Sequence, residues 1–263
     1  IVHGGGHGDY HMIVLAPASV QEAVDLTVLA FDLAEQYRMI VVVLMDGSIG
    51  QMMEPAELPP MQPLKTEIPE WAVRGKQGGE KRVLTSINLD PPAQEVMNLR
   101  VMKRWQEVEK NEVRYKGYFL DDAEYVVVGF GTAGRISLSA VRAAREKGIK
   151  VGLLRPITVA PFPKEILDEL TKQVKAFLVI EMNAGQMLED VRLVVAGRKP
   201  VPGRLYESHN RHRKLPKKTR RDAGAPRDKA WGKGRKEQKG RHSRAHEPLR
   251  AAHHPLDSSR GSR

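Results

Sequence analysis

Gly129-Phe130-Gly131-Thr132-Ala133-Gly134 carries the spacing G-x-G-x-x-G. It follows the apolar run Tyr125–Val128 and precedes a helix-forming segment. In that context free amides at a helix N-terminus cradle a phosphate. A dinucleotide site also wants an acidic residue at the end of the next strand, and here that strand ends Leu154-Arg155-Pro156. An arginine suits a 2′-phosphate, so an NADP-binding reductase is one expectation. Contact with another anion or cofactor is a second, and a plain tight turn a third. Gly129, Gly131, Thr132 and Gly134 are the candidate cofactor-binding residues. His7 and Asp9, in a glycine-rich loop, form a pair of the kind that tunes a proton donor, or a turn whose polar groups serve the local backbone. Asp46-Gly47 ends an apolar strand on the side where α/β sheets bind ligands, or caps a loop; Glu54 before Pro55 is similar. Met12, Met45, Met52 and Met53 are expected to pack rather than to hold a soft metal. The six histidines beyond residue 208 lack carboxylates at metal-ligand spacing, so no metal site is expected.

These residues need elements to place them. Met12–Ala16 reads as a strand. Ser19 and Glu22 read as a capping box, with Glu22 reaching back to the Ser19 amide. Val20, Ala23, Val24, Thr27, Val28, Phe31, Leu33 and Ala34 give a broad apolar stripe on a helix to about Tyr37. Met39–Met45 is an unalternating apolar run, expected to be buried on both faces as in a parallel sheet. Pro55–Pro92 reads as an extended connector. Residues 93 to about 116 read as a surface helix with Val96, Leu99, Met102, Trp105 and Val108 on its inner side. Three strand–helix repeats then follow: Tyr125–Gly129 with Arg135–Lys147, Val151–Leu154 with Pro161–Val174, and Phe177–Glu181 with Gln186–Ala196. Such alternation predicts a small doubly wound parallel sheet.

The net charge of +11 divides unevenly. Residues 201–263 hold 19 Lys+Arg against 6 Asp+Glu, and the first 200 hold 24 against 26. The tail is also poor in aliphatic residues, which predicts disorder from Val201 onward. It is a candidate for non-specific, salt-dependent nucleic-acid binding, a rival reading of the whole chain. The chain has no cysteine, which excludes disulfides and thiolate-held clusters within it. No run approaches membrane-spanning length and no signal-peptide pattern follows Ile1, so a cytoplasmic protein without a membrane partner is expected.

Taken together, Gly4–Tyr10, Ile13–Pro17, Ala30–Ala34 and Asp46–Pro55 resemble the α subunit of 2-oxoacid:ferredoxin oxidoreductases, nearest the branched-chain (2-oxoisovalerate) and 2-oxoglutarate type. The Gly129–Gly134 turn and Glu181–Met187 resemble the second, transketolase C-terminal-like domain of that subunit. The resemblance covers roughly residues 1–200. It implies an α/β fold: part of a thiamine-diphosphate-type βαβ domain (1–60), a connector and surface helix (61–120), a transketolase C-terminal-like domain (121–200) and a basic tail (201–263). It also implies oxidative decarboxylation of a 2-oxoacid, with thiamine diphosphate and Mg shared with a β subunit that carries the diphosphate-binding domain. Coenzyme A takes the acyl group. Electrons leave through iron–sulfur clusters on a partner subunit to ferredoxin. The family's cofactor-contacting Thr and Glu lie upstream of the His7 loop, so the chain is expected to be an N-terminally truncated fragment, inactive alone, with no catalytic residue carried over. The abrupt change after Pro200 raises a reading-frame slip as the origin of the tail.

Overall fold

The computed structural model describes residues 2–205 apart from 5, 7, 62, 64, 65, 74, 76–82 and 86. His7 and nearly all of the basic tail lie outside the described residues.

The described chain builds two lobes, each around its own sheet, within one compact unit. The first sheet has the order β2-β1-β6, from Val41–Val43, Ile13–Leu15 and Thr158–Ala160. β1 and β2 run parallel, joined by α1 (Val20–Tyr37), as the crossover pattern requires. β6 runs antiparallel to β1. The second sheet has the order β3-β5-β4-β7-β8, from Tyr115–Tyr118, Val151–Pro156, Tyr125–Val128, Ala176–Glu181 and Gly203–Leu205. β5, β4, β7 and β8 are parallel and β3 pairs antiparallel with β5. Helices α4 (Gly131–Glu146), α5 (Lys164–Gln173) and α6 (Gln186–Val195) complete the second lobe.

β1 is the buried centre of the first lobe, with Ile13, Val14 and Leu15 all at 0% exposure. The Val41–Val43 run is only half-buried because β2 is an edge strand, which corrects the expectation of burial on both faces. α1 lays Leu26, Ala30, Leu33 and Tyr37 on the sheet. That row differs from the stripe read in the sequence: Val28 is exposed and Phe31 is 72% exposed. The apolar arc of α1 is wider than the three short strands it meets.

Asp90 caps α3 (Pro91–Asn111) by accepting from the Ala93 amide at 3.1 Å, and two prolines fill its first turn, where no amide is needed. α3 stops at Asn111 rather than near Lys116, since Tyr115–Tyr118 pair with β5 instead. Val108 is fully buried and Trp105 stacks on His11 with ring centroids 4.5 Å apart. Val96, Leu99 and Met102, expected on the inner side, are exposed.

In the second lobe Val126, Val128, Leu154, Leu167, Phe177, Val179, Val191 and Val195 form one core. Each large side chain buried there contributes about 1.5–3 kcal/mol by leaving water. Three differences from the sequence reading bear on the site. α4 begins at Gly131, inside the glycine motif, not at Arg135. α5 begins at Lys164, because the preceding residues form β6 and return to the first sheet. Val201 packs on the core and Gly203–Leu205 pair with β7, so order continues past the residue where disorder was expected. Among the described residues no helix is long and apolar enough to cross a membrane.

Candidate functional site

A cleft of about 600 Å³ opens between the lobes. Its walls include Leu44 and Asp46 from the first lobe and Phe130, Glu181, Asn183 and Asp190 from the second.

Asp46 follows β2 and caps the short helix α2 (Gly47–Gly50), accepting from the Ser48 amide at 3.0 Å and the Ile49 amide at 3.1 Å. The same carboxylate crosses to the other lobe. It accepts from the Thr132 amide at 2.9 Å and the Thr132 hydroxyl at 2.8 Å. Phe130, at the N-cap of α4, gives that helix no side-chain cap, so Asp46 supplies the missing negative charge at its N-terminus. Burial alone would raise the Asp46 carboxyl. The Thr132 bonds, then those from Ile49 and Ser48, outweigh it and hold the group below its ordinary value.

The glycines of the motif are explained by this contact and by close packing. Gly131 has φ +54°, and a Cβ there would stand 3.0 Å from the Asp46 Oδ2. A Cβ on Gly134 would stand 2.6 Å from the Gly129 carbonyl and 3.0 Å from Arg155 Cγ. The anion-attracting end of α4 is therefore occupied by the chain's own carboxylate.

α6 repeats the arrangement. Glu181, at the end of β7 and 3% exposed, accepts from the Met187 amide at 2.9 Å and the Leu188 amide at 3.1 Å. Asn183 accepts from the Gly185 and Gln186 amides. Asp190 pairs with His3 at 3.0 Å; burial raises its carboxyl, and His3 only partly offsets that.

Two further carboxylates of the first lobe reach the second. Glu22 is bidentate with Arg155, at 2.6 and 2.9 Å, and accepts from Lys116 at 2.7 Å. Burial would raise Glu22, but the Lys116 and Ala18 hydrogen bonds and the Arg155 charge lower it overall. The capping box is thus half realised. Ser19 accepts from the Glu22 amide at 3.1 Å, but Glu22 takes the Ala18 amide at 2.9 Å rather than that of Ser19. Glu54 pairs with both terminal nitrogens of Arg135 and accepts from the Val20 amide.

Of the sequence candidates, the structure brings Asp46 to Gly131 and Thr132, and Glu54 to Arg135. Asp9 is apart from them, accepting from Asn98 on α3 at 3.1 Å. Met12 packs in the core as expected, but Met45 and Met53 are exposed and the Met52 sulfur accepts from Arg135. Arg155 is 3% exposed and committed to Glu22, so it is not placed to receive a 2′-phosphate, and the NADP reading fails on that residue. Sequence reasoning missed the roles of Glu22, Glu181 and Asp190. Only Glu22 left a signal, as an acid in a helix first turn that Arg155 and Lys116 could reach from afar.

Chemically, each helix N-terminus at the cleft already receives a carboxylate of this chain, Asp46 on the Thr132 amide of α4 and Glu181 on the Met187 and Leu188 amides of α6. Among the described residues no three His, Asp or Glu side chains converge to hold a metal ion.

Two family models match the chain in sequence: the pyruvate flavodoxin/ferredoxin oxidoreductase thiamine-diphosphate-binding domain over residues 5–118, and pyruvate:ferredoxin oxidoreductase core domain II over residues 123–212. The ketoisovalerate oxidoreductase subunit VorB of Methanothermobacter thermautotrophicus is 48% identical over 193 residues, which are 73% of this chain and 55% of that protein. The 2-oxoglutarate synthase subunit KorA of Methanocaldococcus jannaschii is 36% identical over 215 residues, 72% of this chain and 57% of that protein. The chain thus spans about half the length of the curated relatives it matches. The fold also matches a solved 2-oxoglutarate:ferredoxin oxidoreductase from Magnetococcus marinus with TM-score 0.62 and 21% identity, over 76% of this chain and 40% of that one.

Proposed function

Since the chain belongs to the 2-oxoacid:ferredoxin oxidoreductase subunit family, we propose that it works as part of a multi-subunit enzyme that oxidatively decarboxylates a 2-oxoacid to its acyl-coenzyme A and reduces ferredoxin. The observation that carries this reading is the pair of consecutive family domains, in order, over residues 5–118 and 123–212. The 48% identity to a ketoisovalerate oxidoreductase subunit, against 36% to a 2-oxoglutarate synthase subunit, favours a branched-chain oxoacid.

Thiamine diphosphate supplies the electron sink for such a decarboxylation. Asp46 and Glu181 place negative charge at the two helix ends of the cleft, which disfavours a diphosphate there. That favours a β subunit as the holder of the diphosphate, with iron–sulfur clusters on a further partner, since this chain has no cysteine. The part we assign to this chain is positional. Gly129, Gly131, Thr132 and Gly134 would enter the coenzyme surroundings as the seat of Asp46, with Phe130 and Ala133 on the cleft wall. A cytoplasmic setting goes with this reading.

The test is reconstitution of this chain, joined to the upstream part of a family α subunit that carries the cofactor-contacting Thr and Glu, with β and iron–sulfur subunits of the same family. Coenzyme A-dependent reduction of ferredoxin by 2-oxoisovalerate, well above that by 2-oxoglutarate, is expected, with no turnover by this chain alone. Turnover by the purified chain, or micromolar binding of NADP to it, would overturn the proposal.

A further inference from the structure

Three arginines gather where α1 ends against α3. Arg38 is the C-cap of α1, in the left-handed conformation at φ 47° and ψ 52°. Glycine or asparagine is the usual residue there, because a Cβ is crowded by the following carbonyl. The chain nonetheless keeps an arginine, and its guanidinium lies over the Trp71 ring, 5.0 Å from the centroid. Arg104 of α3 donates from Nη1 to the Arg38 carbonyl at 3.2 Å. Arg100 precedes Arg104 by one helical turn, on the same side of α3.

Helix capping accounts for part of this. The last turn of α1 has no basic residue, so the Arg104 bond meets the negative end of that helix. It uses one of the five N–H donors of the guanidinium and calls for neither the Arg38 side chain nor Arg100. Arg114, Arg135, Arg145, Arg155 and Arg198 each meet a carboxylate. Among the described residues none of Arg38, Arg100 and Arg104 forms such a salt bridge. Burial, and then the neighbouring charges of Arg38 and Arg100, hold the Arg104 guanidinium below its ordinary value, and Glu107 offsets them only in part.

We propose that Arg38, Arg100 and Arg104 form a binding site for a phosphorylated ligand, an inorganic diphosphate or the diphosphate of a nucleotide, with the Trp71 indole beside it. Guanidinium groups bind phosphate oxygens through paired N–H donors, and here they come from two helices. A bound anion relieves the repulsion among the three cations. Trp71 is 38% exposed, which leaves ring surface for a base to stack on. None of these residues lines the cleft, and the site does not depend on the reaction proposed above.

Isothermal titration calorimetry of the full chain with pyrophosphate and with ADP tests the site. Both should bind; tighter binding of ADP marks a nucleotide ligand, and equal affinity an inorganic one. Arg100→Gln and Arg38→Gly should each weaken binding roughly tenfold, the loss of one charge-assisted contact. Glycine suits the left-handed backbone, so Arg38→Gly should hold its melting temperature, and affinity lost there is not fold lost. Lys103→Gln, on α3 but not among the charges acting on Arg104, should leave affinity unchanged. The basic stretch beyond residue 200 is the competing anion binder. Binding that Arg38→Gly and Arg100→Gln leave unchanged would put the anion there and overturn the site. So would an equal loss in Lys103→Gln, or no binding at millimolar pyrophosphate.

Discussion

Glu22 and Arg155 allow a prediction whose sign depends on which partner is removed. The Arg155 side chain is 4% exposed and that of Glu22 18% exposed. Glu22→Ala removes the carboxylate that the buried Arg155 guanidinium pairs with, and the Ala18 amide loses its acceptor as well. Breaking a buried pair in this way costs about 3–5 kcal/mol. Arg155→Met is milder: Glu22 keeps Lys116 at 2.7 Å and the Ala18 amide, and methionine fills much of the arginine's volume. About 1–2 kcal/mol is expected there, the worth of hydrogen bonds to a charged group less the packing retained. Urea unfolding of the full chain at pH 7 reads both, as a shift in midpoint at constant slope. The double variant Glu22→Leu/Arg155→Met should be more stable than Glu22→Leu alone, because no unpaired guanidinium remains. If Arg155→Met proves the costlier single change, or if both cost under about 0.5 kcal/mol as an exposed pair would, the pair does not join the lobes as described.

Gly134→Ala puts a methyl group 2.6 Å from the Gly129 carbonyl, a backbone atom that cannot rotate away, and should destabilise by the upper end of roughly 1–3 kcal/mol in the same assay. Two carboxylates should shape the pH dependence of the melting temperature in opposite senses. Asp46 is depressed below 3.8, so its contribution is complete above that pH and is lost as pH falls through its folded value; Asp46→Asn should flatten the acid limb. Asp190 is raised above 3.8, so stability falls as pH rises from 3.8 through its folded value, and Asp190→Asn should remove that fall; a profile unchanged by either variant would contradict the burial and contacts assigned here.

The strands and helices of the second lobe were legible because each carries a local signal. β4 and β7 are short apolar runs, and Gly148 with φ +77° closes α4 as glycine at that position allows. The strands that went unread, β3, β6 and β8, have only three or four residues, too few to carry a periodic signal; they exist because a neighbouring strand offers its free edge. The exposed row of α3 and the exposed Phe31 show the converse, an apolar pattern that is present in sequence while the surface to cover it is a tertiary matter.

The site divides in the same way. Sequence alone established the crossover unit, the glycine turn at the head of a helix, the family likeness and the concentration of positive charge beyond residue 200, since these follow from local composition, spacing and chain order. It could not say what the glycine turn receives. Asp46 is 86 residues from Thr132 and Glu22 is 133 from Arg155, and no local pattern encodes such a meeting. Only folding brings a carboxylate from one lobe to the positive end of a helix in the other, and that meeting turns an apparent phosphate cradle into a contact between lobes.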